Sequence, residues 1–252
     1  MHDHACSDTG PRPRTMIVFD ADGTLIGGES TDWASFEAAF LDVAGFALTG
    51  DFYDSINEVT AKALVHQALA DLDPAARQLK EQAVAEGFLR RLKAAHQEDR
   101  ECFPAIEGAV ALLHELKAAG LRIAIATGDW RESITFKLCA AGIPHEDIPI
   151  VTSSEHYSRS DIVLAAVSKA GGSLDEAVYV GDGLWDLRAC ERLGIPFIGV
   201  GRRKERLRKA GARHVLDDLR PMEFWRARDA IHAAATGVDA HYHSPPALAR
   251  GG

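Results

Sequence analysis

The chain has 252 residues, of which 46% are hydrophobic and 26% are charged, and its formal net charge is −9. This composition is typical of a globular protein with a buried core and excludes disordered, fibrous and collagen-like classes. The negative charge repels nucleic-acid phosphates and anionic membrane surfaces, so we expect neither as a partner. Because the four cysteines are scattered and no segment is apolar enough to span a membrane, we expect a cytoplasmic protein.

Short β-rich runs recur along the chain, each bounded by Gly, Pro or Asp. They alternate with longer segments of helical periodicity, such as 108–119, 162–170 and 186–193. Such alternation predicts a parallel sheet with crossover helices on its faces, which binds ligands at the carboxyl ends of its strands. The predicted strands are 15–19, 121–126, 148–152, 177–180, 196–200 and 214–216.

One long segment interrupts this alternation after the first strand. From about residue 28 to residue 101 no strand pattern occurs, and apolar residues at i, i+3 and i+4 indicate three or four amphipathic helices. An insertion of this length predicts a separate small helical domain. We therefore predict an N-terminal tail (1–14), an α/β core (15–27 and 103–230), a helical domain (28–102) and a C-terminal tail (231–252).

The first predicted strand runs into the segment FDADGTL, which contains Asp20 and Asp22. On an extended chain these two carboxylates point to the same side, and Gly23 allows the chain to turn away sharply. Two acids in one pocket repel each other unless a cation lies between them, and oxygen ligands favour Mg²⁺ over Zn²⁺. The alternative is an ordinary strand end followed by an Asp-Gly turn.

FDADGTL resembles the DxDGT motif of the haloacid dehalogenase-like (HAD) hydrolase superfamily. The resemblance implies a Rossmann-like, doubly wound parallel sheet with a small inserted α-helical cap of the first type. It also implies that Asp20 is the nucleophile, forming an aspartyl-phosphate, and that Asp22 is the general acid and base. An aspartate at position 22 favours phosphoryl transfer over carbon–halogen cleavage.

Two further segments resemble the second and third motifs of this superfamily. Thr127 ends the strand LRIAIAT, and by resemblance its hydroxyl and the amide of Gly128 bind a phosphoryl oxygen. The third motif is a Lys or Arg that neutralises the phosphoryl group and the nucleophile. Arg159, which opens a predicted helix, is the candidate, and Lys169 near the end of that helix is the alternative. A solvated arginine and a structural threonine are the simpler interpretations.

The segment VGDGLWD matches the GDxxxD form of the fourth motif. The resemblance makes Asp182 and Asp186 metal ligands, with Asp20 and the backbone carbonyl of Asp22 completing a Mg²⁺ site. Gly181 lets the backbone pass close to the ion. Four motifs in this order predict a Mg²⁺-dependent phosphatase for small phosphorylated molecules.

Three alternatives remain open at this stage. A phosphomutase would use the same motifs, and a phosphonate hydrolase of this superfamily would need a cap lysine such as Lys62, Lys80 or Lys93. A catalytically silent binding module is the third alternative. The segment DGTLIGGES lacks the Asp-Ser pair of many small-acid phosphatases, which argues against phosphoglycolate-like specificity.

The predicted cap contributes candidates for specificity. Trp33 and Phe36 either line the cleft or belong to the core of the cap, and Arg131 is a candidate second contact to phosphate or carboxylate. Gly27 and Gly28 suit a hinge between core and cap. The oligomeric state does not follow from the sequence.

Overall fold

The computed structural model describes residues 15–236. Within this range six parallel strands form one sheet in the order β3-β2-β1-β4-β5-β6. All six lie where the sequence predicts strands, and the α/β fold class is confirmed. The strands are β1 (Met16–Phe19), β2 (Arg122–Ala126), β3 (Ile150–Val151), β4 (Ala177–Gly181), β5 (Phe197–Val200) and β6 (His214–Leu216).

Strand β1 lies inside the sheet between β2 and β4, which explains why it is apolar throughout. Ile17 and Phe19 belong to the hydrophobic core on one face, and Met16 and Val18 belong to the core on the other. All four are 0% exposed. Burial of such a side chain stabilises the fold by about 1.5–3 kcal/mol, so β1 is a main anchor of the sheet.

Four helices form the insertion that follows β1. Three of them begin at side chains that accept a hydrogen bond from the first turn, namely Thr49, Thr60 and Asp73. This agrees with the predicted three or four helices and with the absence of strands between residues 28 and 101. The helices are α1 (Glu29–Ala44), α2 (Gly50–Ser55), α3 (Ala61–Ala68) and α4 (Pro74–Glu98).

The two connections between the insertion and the core lie side by side. The amide of Gly27 donates to the carbonyl of Pro104 at 2.8 Å. Gly28 has φ of 95°, and a Cβ there would lie 2.2 Å from the carbonyl oxygen of Cys102, so a larger residue does not fit. The insertion is thus joined to the rest of the chain through two adjacent connections.

Six more helices cover both faces of the sheet, as expected for a doubly wound fold. Helices α5 (Ala109–Ala118), α6 (Arg131–Ala140) and α10 (Pro221–Thr236) contribute to the same core as Ile17 and Phe19. Helices α7 (Arg159–Lys169), α8 (Leu184–Leu193) and α9 (Lys204–Lys209) contribute to the opposite core.

The C-terminal boundary differs from the prediction. Helix α10 continues to Thr236, past residue 230 where the sequence predicts the tail to begin. The reason is that Ile231 is only 7% exposed and packs in the core, so the chain stays helical beyond this point. The predicted N-terminal tail (1–14) and residues 237–252 lie outside the described residues. No helix within residues 15–236 is long and apolar enough to cross a membrane.

Candidate active site

The predicted motifs meet at the carboxyl ends of three adjacent strands. Strand β1 pairs along its whole length with both β2 and β4, so the residues that follow the three strands reach the same edge of the sheet. Asp20, Thr127 and Asp182 are these residues, and each is at most 3% exposed. The first two line one pocket between the core and the insertion.

Asp20 is held directly by Arg159, the first residue of α7. The guanidinium Nη1 donates to Asp20 Oδ1 at 2.9 Å, and Nε lies 3.5 Å from Asp186 Oδ1. Ser158 caps α7 and thereby fixes where Arg159 leaves the helix. The backbone amide of Asp20 donates to the carbonyl of Val180 at 2.8 Å, so both ends of the ion pair are anchored to the core.

The charges around Asp20 do not balance. Burial, and then the nearby charge of Asp186, raise the pKa of Asp20 well above its ordinary value, whereas Arg159 acts in the opposite direction. Burial alone would lower the pKa of Arg159, but Asp186 and Asp20 raise it, so the guanidinium stays charged. The guanidinium of Arg159 therefore faces the two buried carboxylates of Asp20 and Asp186, which together carry more negative charge than it offsets when both are ionised.

Asp182 and Asp186 follow β4. Asp186 accepts hydrogen bonds from the hydroxyl of Tyr179 and the amide of Gly183, each at 3.1 Å. Asp182 Oδ2 accepts from Arg203 at 2.9 Å, but its buried Oδ1 has no hydrogen-bond partner in the described part of the chain. Burial, followed by the charge of Asp186, raises the pKa of Asp182 to about 7. The negative charge of Asp182 is thus only partly compensated.

These three aspartates fit a hard divalent cation. One carboxylate oxygen from each of Asp20, Asp182 and Asp186 lies within 4.8 Å of the other two. An all-oxygen donor set with an unpartnered buried Oδ1 on Asp182 suits Mg²⁺. Gly23, with φ of 80°, allows the loop to pass, because a Cβ there would lie 2.4 Å from Asp182 Oδ2.

Thr127 and Gly128 line the same pocket. The Thr127 hydroxyl oxygen accepts from the amide of Asp129 at 3.2 Å, which leaves its own proton free to be donated. A Cβ on Gly128 would lie 2.8 Å from Arg159 Nη2 and 3.1 Å from the carbonyl of Val59. The absence of a side chain at residue 128 therefore keeps the pocket open beside Arg159.

The carboxylate of Asp22 lies in a second cluster. Its Oδ1 accepts from Lys137 Nζ at 2.7 Å, and the same ammonium is 2.5 Å from Asp32 Oδ1 and 3.0 Å from Asp129 Oδ2. Lys137 is completely buried. The cation of this second group is a lysine, so the side chain of Asp22 stands apart from the carboxylates that suit Mg²⁺.

The insertion supplies the opposite wall of the pocket. Trp33 and Phe36 both line it, and they also contact each other at a ring-centroid distance of 6.0 Å. The two interpretations left open by the sequence therefore both apply to these residues. Further residues of this wall are Glu29, Asp32, Leu64 and Phe88.

Two basic residues suggested by the sequence lie elsewhere. Lys169 is exposed at the end of α7 and donates to the carbonyl of Ile150 at 3.2 Å. Arg131 donates to the same carbonyl at 2.9 Å and pairs with Glu155. Neither lines the pocket. The hypothesis that Arg131 contacts phosphate or carboxylate gains no support here, because its guanidinium is engaged with Ile150 and Glu155 beside β3.

The sequence interpretation missed two basic residues of the site. Lys137 shares the buried stripe of α6 with Ile134 and Leu138, and a lysine within an apolar helical stripe is a signal that was available. Arg203 follows β5, pairs with Asp182 and lies 5.2 Å from the ring centre of Trp185. We find no sequence pattern that would have singled out Arg203.

The buried carboxylates predict how stability depends on pH. Asp182 and Asp32 each have a folded pKa of about 7, against about 4 in an unfolded chain. Between these values the native state holds protons that the unfolded state has lost. The free energy of unfolding of the metal-free protein should therefore fall as pH rises from about 4 to about 7.

Denaturant unfolding in the presence of a chelator, at fixed ionic strength, measures this slope. Asp182→Asn should make it shallower, because Asp32 still titrates, whereas the exposed control Asp71→Asn should leave it unchanged. An Asp182→Asn protein whose stability follows the wild-type pH profile would show that this carboxyl group does not titrate abnormally.

Sequence comparison places the chain among known proteins. A sequence model of the family described as haloacid dehalogenase-like hydrolase matches residues 17–200. A phosphoglycolate phosphatase from Agrobacterium fabrum (strain C58) is 24% identical over 191 residues, which span 73% of this chain and 79% of that protein.

Solved structures show the same fold. A hydrolase from Pseudomonas syringae is 25% identical with a TM-score of 0.68, and the match covers 86% of this chain and 99% of that one. CbbY from Rhodobacter sphaeroides, in complex with phosphate, is 24% identical with a TM-score of 0.65, covering 82% and 96%. A β-phosphoglucomutase from Clostridium difficile is 14% identical with a TM-score of 0.68, covering 86% and 98%. The chain therefore belongs to the haloacid dehalogenase-like hydrolases, as its motifs predict, and is an enzyme of that family.

Proposed function

We propose that this enzyme is a Mg²⁺-dependent phosphatase that hydrolyses small phosphate monoesters through an aspartyl-phosphate on Asp20. The supporting observation is the place of Asp20 in the pocket, held by Arg159 and close to Asp182 and Asp186. The relative from Agrobacterium fabrum, a phosphoglycolate phosphatase, supports the same reaction class.

In the first half-reaction a carboxylate oxygen of Asp20 attacks phosphorus, an O–P bond forms, and the ester P–O bond breaks. Arg159 holds Oδ1, which leaves Oδ2 to face the substrate. Asp22, which lines the same pocket, donates a proton to the departing alcohol oxygen. Thr127 and the amide of Gly128 donate hydrogen bonds to the phosphoryl oxygens.

In the second half-reaction a water molecule attacks the phosphorus of the aspartyl-phosphate. Asp22 now takes the proton from this water, because the group that gave up its proton in the first step is a base in the second. The O–P bond to Asp20 breaks, inorganic phosphate leaves, and both aspartates return to their starting state.

We assign the Mg²⁺ site to the carboxylates of Asp20, Asp182 and Asp186 and to the backbone carbonyl of Asp22. The unpartnered Oδ1 of Asp182 and its raised pKa support this assignment. When bound, the ion would neutralise charge on the phosphoryl group. Two arginines already pair with these ligands: Arg203 with Asp182, and Arg159 with Asp20 and Asp186.

The pocket favours a leaving group without a second negative charge. The two arginines that line it, Arg159 and Arg203, are each paired with an aspartate of the core. The wall built by the insertion adds the carboxylate of Glu29 and the aromatic ring of Trp33. A carboxylate or second phosphate on the leaving group would face like charges there, so we propose an uncharged or cationic alcohol.

The alternatives lose support to different degrees. None of Lys62, Lys80 and Lys93 lines the pocket among the described residues, which argues against the Schiff-base route of a phosphonate hydrolase. A mutase would use the same catalytic residues, so only the fate of the phosphoryl group separates it from a phosphatase. The buried repelling carboxylates around Asp20 argue against a silent binding module. A cytoplasmic location stays a prediction from the sequence.

Phosphate release from three monoesters tests the proposal. We expect p-nitrophenyl phosphate and glycerol 3-phosphate to be hydrolysed in Mg²⁺ and not in excess chelator. For 2-phosphoglycolate, kcat/KM should be about tenfold lower than for glycerol 3-phosphate. A carboxylate within about 4 Å of Glu29 is repelled by about 1–4 kcal/mol near a protein surface, and tenfold in rate corresponds to about 1.4 kcal/mol.

Hydrolysis that persists in chelator would contradict the metal dependence. Preference for 2-phosphoglycolate would contradict the proposed leaving group but leave the reaction class intact. Conversion of a sugar phosphate into its positional isomer, without release of phosphate, would favour the mutase.

A further inference from the structure

Lys137 is a completely buried lysine beside the candidate active site. Its ammonium lies 2.7 Å from Asp22 Oδ1, 2.5 Å from Asp32 Oδ1 and 3.0 Å from Asp129 Oδ2. A buried charge is costly unless its hydrogen-bonding capacity is met. An ammonium has three N–H donors, and here three carboxylates surround it. We refer to these four residues as the lysine cluster.

The carboxylates of the lysine cluster come from three separate parts of the fold. Asp22 lies in the loop after β1, Asp32 in the first turns of α1, and Asp129 in the loop after β2. Burial raises the pKa of Asp32 to about 7, and the charge of Lys137 opposes that rise. Burial likewise raises the pKa of Asp129, again opposed by Lys137. The lysine is therefore the group that allows three acids to lie together.

We infer that Lys137 is a positioning residue for Asp22, an inference that rests on the proposed phosphatase function. The ammonium holds Oδ1 of Asp22, which restricts the side-chain rotamer and leaves Oδ2 to exchange a proton with the leaving oxygen or with water. Asp32 and Asp129 hold the ammonium in turn. Asp32 of the insertion and Asp129 of the loop after β2 thus both help to fix the position of the Asp22 carboxylate.

Asp129 is itself fixed, which makes the lysine cluster rigid. Its Oδ1 accepts from the amide of Trp130 at 2.6 Å and from the hydroxyl of Ser133 at 2.5 Å. Its Oδ2 accepts no hydrogen bond in the described part of the chain and faces Lys137. Small errors in the placement of a catalytic group reduce rates strongly, so a rigid support for Asp22 has a catalytic consequence.

The role of Asp22 gives this inference a distinctive kinetic signature. A nitrophenolate leaves without help, whereas an alkoxide needs a proton as the P–O bond breaks. Loss of a correctly placed proton donor should therefore slow an alkyl ester far more than an aryl ester. A purely structural role of Lys137 would slow both esters by the same factor.

A double-mutant cycle on Lys137 and Asp22 tests the inference. The four proteins are the wild type, Lys137→Met, Asp22→Asn and the double variant, all loaded with Mg²⁺. Single-turnover release of the alcohol is measured for p-nitrobenzyl phosphate and p-nitrophenyl phosphate, which are similar in size and differ in leaving group. Both substrates are used at saturation, so that changes in substrate binding do not enter the rates.

We expect Lys137→Met to slow p-nitrobenzyl phosphate about 10²-fold, within the range of general acid catalysis, and p-nitrophenyl phosphate much less. In the Asp22→Asn background the same substitution should change neither rate by more than about twofold, because the group it positions is already disabled. Equal losses for both esters, or an equal loss in both backgrounds, would overturn the inference.

Lys137→Met leaves three buried carboxylates without a cation and could unfold the protein. The variant Lys137→Met/Asp32→Asn keeps the net charge of the lysine cluster at its wild-type value, and it should show the same selective loss on p-nitrobenzyl phosphate. Asp32→Asn alone is its matched control. Failure of the proposed function is recognised separately: a wild type that hydrolyses neither ester in Mg²⁺ would contradict the phosphatase itself, and an Asp22→Asn variant that is as fast as the wild type on the alkyl ester would contradict the acid role of Asp22.

Discussion

Asp20→Asn should lower kcat for p-nitrophenyl phosphate by at least about 10⁴-fold, with no fall in the melting temperature of the metal-free protein. The activity is lost because an amide cannot attack phosphorus, and removal of a nucleophile costs this much or more in other enzymes. The fold is retained because burial and the charge of Asp186 already disfavour an ionised Asp20. Steady-state kinetics and thermal unfolding measure the two effects.

The matched control is Asp71→Asn, the same substitution at an exposed position of the insertion. It should retain wild-type kcat. Acid-stable capture of radiolabelled phosphate on the protein should succeed with the wild type and fail with Asp20→Asn. An Asp20→Asn protein with activity within tenfold of the wild type, or one that is still phosphorylated, would show that the nucleophile is another residue.

The sequence was sufficient to predict the sheet and the residues at its active edge. Each strand is a short apolar run, and parallel strands bring their carboxyl ends to one edge. The resemblance to the superfamily motifs singled out Asp20, Thr127 and Asp182 at that edge, and the adjacency of β2, β1 and β4 places them near one another. Arg159 was chosen because it resembles the third motif, which opens a helix, and the first turn of that helix is the part that reaches this edge. Lys169, at the other end of α7, is too far along the helix.

The lysine cluster could not be predicted, because it depends on how separate segments pack. Asp32 belongs to helix α1 of the insertion. Whether its side chain lies near Asp22 depends on how α1 packs against the core. Arg131 was suggested because it follows Thr127 closely in the sequence, but its position around helix α6 turns it away from the site. Residues 131 and 137 point about 120° apart around α6, so the helix that aims Lys137 at the site aims Arg131 away from it.

The end of α10 and the role of Arg203 show a second limit. The predicted boundary placed the tail at residue 231, but burial of Ile231 extends the helix. Arg203 reaches Asp182 from the loop after β5, and periodicity says nothing about loop side chains. Local patterns thus predict elements, whereas contacts between loops depend on the assembled fold.

Arg159→Met should lower kcat/KM for p-nitrophenyl phosphate by about 10³-fold and the free energy of unfolding by about 3–5 kcal/mol. Arg159 is the guanidinium that meets both Asp20 and Asp186, so its loss leaves these carboxylates buried without their cation. Arg159→Lys should be intermediate in both measurements. It restores a positive charge but, as a point charge on a shorter stem, does not reproduce two contacts at once.

Lys169→Met is the decisive control, because Lys169 is the alternative residue for the same role on the same helix. Lys169 is exposed and donates a hydrogen bond to the carbonyl of Ile150, so its removal should change kcat/KM by less than about twofold. Steady-state kinetics in Mg²⁺ and denaturant unfolding should be carried out on all three variants. If Lys169→Met were the inactive protein and Arg159→Met the active one, the phosphoryl-binding cation would lie at the opposite end of α7. The contacts of Arg159 with Asp20 and Asp186 would then be purely structural.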